Sequence, residues 1–424
     1  MWTYGCQMNS HDSEHIAGTL LNAGYRRSDT PGTADLVVFN TCCVRQSAED
    51  RAWGKIASIS GRGSPARTIA VTGCMAQMHG LDILTRAPGV DLVFGIEELQ
   101  RLPSLLEASR SGRVCQVGDP GSALVDECPF DREPRAWGWV PVSHGCDNRC
   151  AYCVIPAVRG PHRSRREEEI LEDVRELTNR GVAEVALLGQ NVNAYGKDIG
   201  TDFASLLHAV AGVGGVQRIK FETSHPADLS DELLKSMACE PRVCEYLHLP
   251  VQSGSNAVLD AMNRGYTREE YMALVESVRR SVPGIVVTTD IIVGFPGESD
   301  DDFEATMDLV RDVRFDAAYT FLYSVRRGTP AHELQGQISG TLKRERLGRL
   351  LHEQERITAR SLQKVVGRRV EVVATGEARR GGLTSARTRG NRVILIEGAV
   401  PTDSVFEVDV LAAGGHSLRG AVVR

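Results

Sequence analysis

The chain has 424 residues, 42% hydrophobic and 25% charged, a globular composition at a length of two or three domains that excludes fibrous and disordered classes. Its 49 basic and 55 acidic residues give a net charge of −6, so any nucleic-acid contact has to come from a local patch and not from the overall field. No apolar run reaches the roughly 18 to 20 residues of a membrane span and no leader pattern opens the chain, so the expected location is the cytoplasm, where eleven cysteines point to metal or redox chemistry, not disulfides.

Residues 1–125 alternate short apolar strands (35–39, 68–71) with stretches of helical period such as 15–21, which predicts an α/β domain with a parallel sheet. Pro120, Pro129, Pro134 and Pro141 lie among Gly, Asp and Arg residues and predict a linker over 126–140. From 141 to 340 six strands are expected, near 139–143, 183–188, 218–222, 245–249, 285–293 and 318–323. Helical stretches separate them at 167–180, 202–211, 267–280 and 300–313, the pattern of a partial parallel (β/α)6 barrel. Residues 341–364 read as one charged amphipathic helix bridging to a last domain, 365–424. There, short strands at 370–373, 393–396 and 405–410 between Gly-rich turns predict a small β-barrel. That tail has nine arginines against six acids, +3, which leaves −9 on residues 1–364. Arg379, Arg380, Arg387, Arg389 and Arg392 cluster in one hairpin, as phosphate contacts or as a solvated basic loop.

The chemistry concentrates in cysteines. His144-Gly145-Cys146-Asp147-Asn148-Arg149-Cys150-Ala151-Tyr152-Cys153 places three thiols at C-x3-C-x2-C just after the first barrel strand. Three thiolates on one tight loop hold three irons of a [4Fe-4S] cluster and leave the fourth open to a small molecule. A structural zinc site would need a fourth Cys or His at regular spacing, and the nearest later candidate, His162, is nine residues on. Cys42 and Cys74 stand just past the ends of apolar strands and Cys6 is expected to do so as well. In an open parallel sheet those ends meet at one crevice, so the three thiols form a second ligand set or are three unrelated buried cysteines. Cys43, Cys115, Cys128, Cys239 and Cys244 read as ordinary thiols. His11 and His15 have the spacing of a helical metal pair, but Asp12-Ser13 reads as a helix start and both imidazoles are expected at the surface.

The C-x3-C-x2-C loop, with Tyr152 before its third cysteine, resembles the signature of the radical S-adenosylmethionine superfamily. The resemblance implies that the open iron chelates S-adenosylmethionine and that an electron from the cluster cleaves it to a 5'-deoxyadenosyl radical, the means of opening a C–H bond without an acidic proton. Together with Thr3-Tyr4-Gly5-Cys6-Gln7-Met8-Asn9, Asp12-Ser13-Glu14, Asn40-Thr41-Cys42 and Gly73-Cys74-Met75-Ala76-Gln77, it resembles the methylthiotransferase family over essentially the whole chain. That resemblance implies two [4Fe-4S] clusters, a radical one on Cys146, Cys150 and Cys153 and an auxiliary one on Cys6, Cys42 and Cys74, and a C-terminal RNA-binding TRAM barrel. Leu187-Leu188-Gly189-Gln190-Asn191-Val192-Asn193 looks like the branch acting on isopentenyladenosine beside the tRNA anticodon. Branches acting on threonylcarbamoyladenosine or on a ribosomal-protein aspartate are the alternatives within the family. An RNA-binding protein with merely structural clusters is the alternative outside it.

Gly189, Gln190, Asn191, Ser224, Gln252 and Asp290 are expected at the carboxyl ends of barrel strands, where such barrels place their sites, and so against S-adenosylmethionine and adenine edges. No side chain is singled out as an acid or base, because the clusters carry the chemistry. The implied partners are the tRNA anticodon stem-loop, an electron donor and a sulfur source, acting on a monomer away from membranes.

Overall fold

The computed structural model describes residues 1–30, 32–60, 67–121, 130, 136–378, 382–398, 400–401 and 404–423. The chain divides into two compact units, one of Met1–Glu133 with His144–Asn148 and Cys153–His162, the other of Pro134–Ser143, Arg149–Tyr152 and Arg163–Arg424.

In the first unit, strands β1 (Trp2–Thr3), β2 (Leu36–Thr41), β3 (Thr68–Gly73), β4 (Leu92–Phe94) and β5 (Val114–Gln116) form a parallel sheet in sequential order. Their side chains alternate between faces, as the two-residue period of a strand requires. Val37, Phe39, Val71 and Val93 pack with helices α2 (Gln46–Ser60), α3 (Cys74–His79) and α4 (Leu81–Arg86), while Val38, Ala70, Leu92 and Phe94 meet α1 (Gln7–Asn22) and α5 (Leu102–Ser109). The short helix α6 (Ile155–Arg159) belongs to this unit, with Val154 and Val158 in the α2–α4 core.

In the second unit, β6 (Trp137–Pro141), β7 (Glu184–Leu188) and β8 (Arg218–Phe221) make one parallel sheet, and β9 (Tyr246–His248), β10 (Val286–Val293) and β11 (Ala317–Leu322) another. A parallel bridge from Ile219 to Val243 joins them into the six-stranded partial barrel. The first strand begins at Trp137, so the expected 139–143 moves two residues back into the 126–140 stretch, most of which lies outside the described residues. Helices α7 (Glu167–Asn179), α8 (Phe203–Ala211), α9 (Asp231–Cys239), α10 (Asn256–Ala261), α11 (Arg268–Ser281), α12 (Asp300–Val313) and α13 (Pro330–Glu333) follow. Two are fixed at their starts by reciprocal caps, Thr267 with Glu270 and Ser299 with Asp302. The bridging helix is α14 (Gly340–Gln363), which gives Leu350 and Ile357 to the barrel core and Leu362 to the C-terminal core.

The last domain is a closed five-stranded barrel of β12 (Arg369–Glu377), β13 (Leu383–Thr388), β14 (Val393–Glu397), β15 (Val405–Gly414) and β16 (Ser417–Val422). Three of these match expected strands. The other two, 383–388 and 417–422, are rich in Ser, Thr, Arg and Gly and show no apolar run; pairing on both sides makes them strands.

Candidate cluster and cofactor sites

The three cysteines Cys6, Cys42 and Cys74 are brought together in the first unit by a buried polar lattice. Asn9 donates to the Asn40 side chain at 3.1 Å and to the Thr41 carbonyl at 3.3 Å, and Asn40 donates back to the Asn9 carbonyl at 2.7 Å and to Ser13 Oγ at 2.9 Å. Thr41 Oγ1 reaches the Thr72 carbonyl at 2.5 Å. Gly5, with φ +135°, and Gly73, with φ +88°, complete it: a Cβ on Gly5 would enter Asn9 and Cys42, and one on Gly73 would enter Asn40 and the Thr41 backbone. The residues flanking each cysteine thus position the other two.

The thiols feel one another. Burial, then the charges of Cys74 and Cys6, push Cys42 up. Cys74 is drawn down by a hydrogen bond from Cys43 and by Arg159, against the effect of burial. Cys6 is open to solvent at the start of α1, yet crowding by protein atoms raises its thiol, with Cys74 adding to it and Arg159 opposing. Cys43 packs among Phe39, Val71 and Met75. Cys42 Sγ instead accepts the Val44 N–H at 3.3 Å. Among the described residues no three His, Cys, Asp or Glu side chains already form a closed metal-binding group. The donors aimed at sulfur and the cation beside it nevertheless fit thiolate ligands of an iron–sulfur cluster.

That cation is Arg159, which is buried and ion-paired to buried Asp12 at 2.5 Å. Asp12 does not open a helix. Helix α1 starts five residues earlier, and His11 and His15 are buried with their Nε2 atoms 3.2 Å apart, which corrects the surface placement expected of them. Cys128 lies outside the described residues.

Along the radical loop, Cys146 and Cys153 belong to the first unit and Cys150 to the second. The Cys146 N–H donates to the Gly160 carbonyl at 3.2 Å, and Cys153 Sγ accepts the Ile155 N–H at 3.4 Å. Cys150 Sγ accepts from Arg264 Nη1 at 3.2 Å.

Backbone hydrogen bonds tie together the segments of the second unit that carry these residues. Val192 N donates to the Thr223 carbonyl, Ser224 N to the His248 carbonyl and Gln252 N to the Asp290 carbonyl, at 3.1, 3.3 and 2.9 Å. A chain of contacts therefore runs from the carboxyl ends of β7 to β9 onto the middle of β10. Thr223 and Gln252 hold left-handed backbones, φ 67° and 73°, the kind of local strain that collects at binding sites. Gly189 lies so near Ser143 that a Cβ would stand 2.7 Å from its Oγ. Asn191 is committed to the scaffold, donating to Asp228 at 2.6 Å and accepting the His225 N–H at 3.2 Å. Asp290 sits inside β10, not at its end, 3.4 Å from His248 Nε2.

Gln190 Oε1, Ser224 Oγ, Gln252 Oε1, Ser143 Oγ, His225 Nε2 and both polar atoms of the Asn193 side chain are buried with no hydrogen-bond partner among the described residues. Buried polar groups are normally satisfied, so this set fits a ligand rich in donors and acceptors, as S-adenosylmethionine is. His225 and Ser143 were not singled out from sequence, and Asn193 entered only within the motif that starts at Leu187. The Thr223-Ser224-His225-Pro226 turn after β8 is the signal that would have found the first.

Two of the described arginines of the C-terminal hairpin, Arg389 and Arg392, bond to the rest of the fold. Arg389 pairs with Glu245 at 2.8 Å and donates to the carbonyls of Pro241 and Val243. Arg392 meets Asp316 at 2.8 Å and Ser361 at 2.9 Å. Arg387 is held by Asn391 and its charge reaches Glu222 in the barrel. Arg379 and Arg380 lie outside the described residues.

Residues 140–310 match the radical SAM superfamily and residues 1–95 the uncharacterized protein family UPF0004. A tRNA-2-methylthio-N(6)-dimethylallyladenosine synthase of Moorella thermoacetica is 46% identical over 432 residues, covering 99% of this chain and 97% of the relative. One of Acetivibrio thermocellus is 44% identical over 432 residues, covering 100% and 90%. Among solved structures, the radical S-adenosylmethionine methyltransferase TsrM from Kitasatospora setae, with cobalamin and a [4Fe-4S] cluster bound, superposes with a TM-score of 0.56 at 15% identity, covering 76% of this chain and 74% of that one, a likeness of fold. The chain belongs to the tRNA-2-methylthio-N(6)-dimethylallyladenosine synthase family of radical SAM enzymes.

Proposed function

We propose that this enzyme methylthiolates C2 of N6-isopentenyladenosine at position 37 of tRNA, next to the anticodon, with two S-adenosylmethionine molecules and two [4Fe-4S] clusters. The observation that carries this reading is identity of 44–46% to synthases named for that chemistry, running through 99–100% of this chain and not only through its cysteine motifs. Cys146, Cys150 and Cys153 would hold the radical cluster and Cys6, Cys42 and Cys74 the auxiliary one. With S-adenosylmethionine bound, the radical cluster supplies a carbon radical for a hydrogen that no side-chain base can remove.

The chain's own residues bind and orient. Gln190, Ser224 and Gln252 offer the unsatisfied polar atoms that meet the cofactor or the adenine edge, on a frame set by Gly189, Asn191 and Asp290. The substrate base lies in a single-stranded loop and swings out to reach this rim. Because Arg387, Arg389 and Arg392 are engaged within the fold, phosphate contact falls chiefly to Arg379 and Arg380. An electron donor and a sulfur source act from outside, on a cytoplasmic monomer.

The test is mass spectrometry of tRNA nucleosides from cells lacking this chain, beside cells rescued by the wild type or by Cys6→Ala. Loss of 2-methylthio-isopentenyladenosine with build-up of isopentenyladenosine, restored by the wild type alone, is the expected result. An unchanged nucleoside profile would move the substrate to another adenosine or to a ribosomal protein. Purified Cys150→Ala should lose S-adenosylmethionine cleavage and keep RNA binding.

A further inference from the structure

Helix α10 ends at Ala261, and the next three residues lie along the cysteine loop. The Ala151 N–H donates to the Met262 carbonyl at 2.9 Å. Asn263, in a left-handed backbone of φ 56°, turns its amide onto the Arg149 carbonyl at 2.8 Å. Arg264 then enters the core with only 4% of its surface exposed. Its Nε donates to Tyr266 Oη at 2.9 Å and its Nη2 to the Pro250 carbonyl at 2.9 Å, while Nη1 faces Cys150 Sγ at 3.2 Å and Tyr152 Oη at 3.4 Å. The guanidinium also stands 5.3 Å from the Tyr266 ring centroid.

Among the described residues, every partner of this cation is a neutral oxygen, an aromatic face or the Cys150 sulfur. No carboxylate among the described residues forms an ion pair with it. A buried charge without an opposite charge is costly, and arginine does not shed its proton to escape the cost. Among the described residues the opposite charge is lacking, and a cluster held at Cys150 would supply it.

We infer that Arg264 is the counter-charge of the radical cluster and a positioning residue for its loop, binding the Cys150 thiolate through Nη1 and favouring the reduced cluster. This rests on Cys150 being a cluster ligand. Reduction adds one electron and so one negative charge to the cluster. A fixed cation with an N–H directed at a ligand sulfur stabilises the more negative state and raises the midpoint potential. Two observations carry the inference independently of each other: the N–H to sulfur geometry, and a buried guanidinium that lacks a carboxylate.

The experiment uses the full-length enzyme with both clusters reconstituted and compares wild type with Arg264→Gln and Arg264→Lys. Midpoint potentials come from redox titration followed by electron paramagnetic resonance, and apo and holo forms are also melted. In Arg264→Gln the radical cluster should become harder to reduce, with Arg264→Lys in between and the auxiliary cluster unmoved. The apo protein should melt no lower than wild type, because it loses an uncompensated charge, while the holo form melts lower. Loss of cluster loading in Arg264→Gln that Arg264→Lys restores supports the same role. An unchanged radical-cluster potential in Arg264→Gln, or equal destabilisation of apo and holo forms, overturns it and leaves Arg264 a packing group. Cys150→Ala separates the two ideas: retention of the radical-cluster signal would sink the ligand assignment itself.

Discussion

Gln190, Ser224, His225 and Gln252 each bury a polar atom that no group among the described residues meets, at a cost of about 1–3 kcal/mol apiece. His225 shows what such a residue offers. Its Nδ1 accepts the Ala227 N–H at 3.3 Å, which assigns the proton to Nε2, the unsatisfied atom. Burial and then the Arg264 charge hold its pKa down to about 3, so it serves as a neutral donor at physiological pH. Between about pH 6.5 and pH 3 the unfolded histidine binds a proton that the folded one refuses, and stability falls as pH falls across that window, by up to about 1.4 kcal/mol per pH unit. Thermal melts from pH 7 to pH 4 should therefore fall less steeply for His225→Gln than for wild type; parallel curves would mean that the folded imidazole does take the proton. Of the unsatisfied set, Gln190, Ser224 and Gln252 were legible as polar residues at strand ends. Orphaned atoms are not, because whether a side chain finds a partner depends on neighbours distant in sequence.

At the scale of elements, the auxiliary thiols depend on how helices α1 and α6 meet. Asp12 on the one and Arg159 on the other are 147 positions apart and form a buried ion pair beside Cys74 and Cys6. Read in isolation, Asp12-Ser13 looks like a cap and the adjacent histidines look exposed, since local propensity has no knowledge of a guanidinium arriving from another segment. Removing one partner of such a pair strands the other in the core, so Asp12→Asn should destabilise the apo protein by about 3–5 kcal/mol, measured by chemical denaturation. It should also weaken retention of the auxiliary cluster. A loss below about 1 kcal/mol would show that Arg159 finds another partner. By contrast, α11 and α12 were legible nearly to the residue, because their caps and acidic first turns are written in consecutive positions.

For the molecule as a whole, the arginine-rich hairpin divides into anchors and candidate RNA contacts. Arg389→Ala removes the hold on Glu245, whose carboxyl Arg389 keeps below its usual range although burial pushes it up. The substitution should cost about 1–2 kcal/mol of stability and leave the salt dependence of tRNA binding unchanged. Arg379→Ala with Arg380→Ala should do the reverse, keeping stability and lowering the slope of log K against log salt by about 1–2, close to one unit for each phosphate that is no longer neutralised. An unchanged slope in the double variant would place the RNA surface elsewhere. Strand period, helix caps and cysteine spacing are local patterns, so the order of α/β sheet, partial barrel and small β-barrel could be read along the chain. No local pattern shows that Asn9, Asn40 and two glycines link the segments of three distant cysteines, that Arg159 and Arg264 each stand beside a thiol, or that Arg389 faces the fold. Those outcomes depend on burial and on long-range pairing of charges, whose partners lie tens to more than a hundred residues apart.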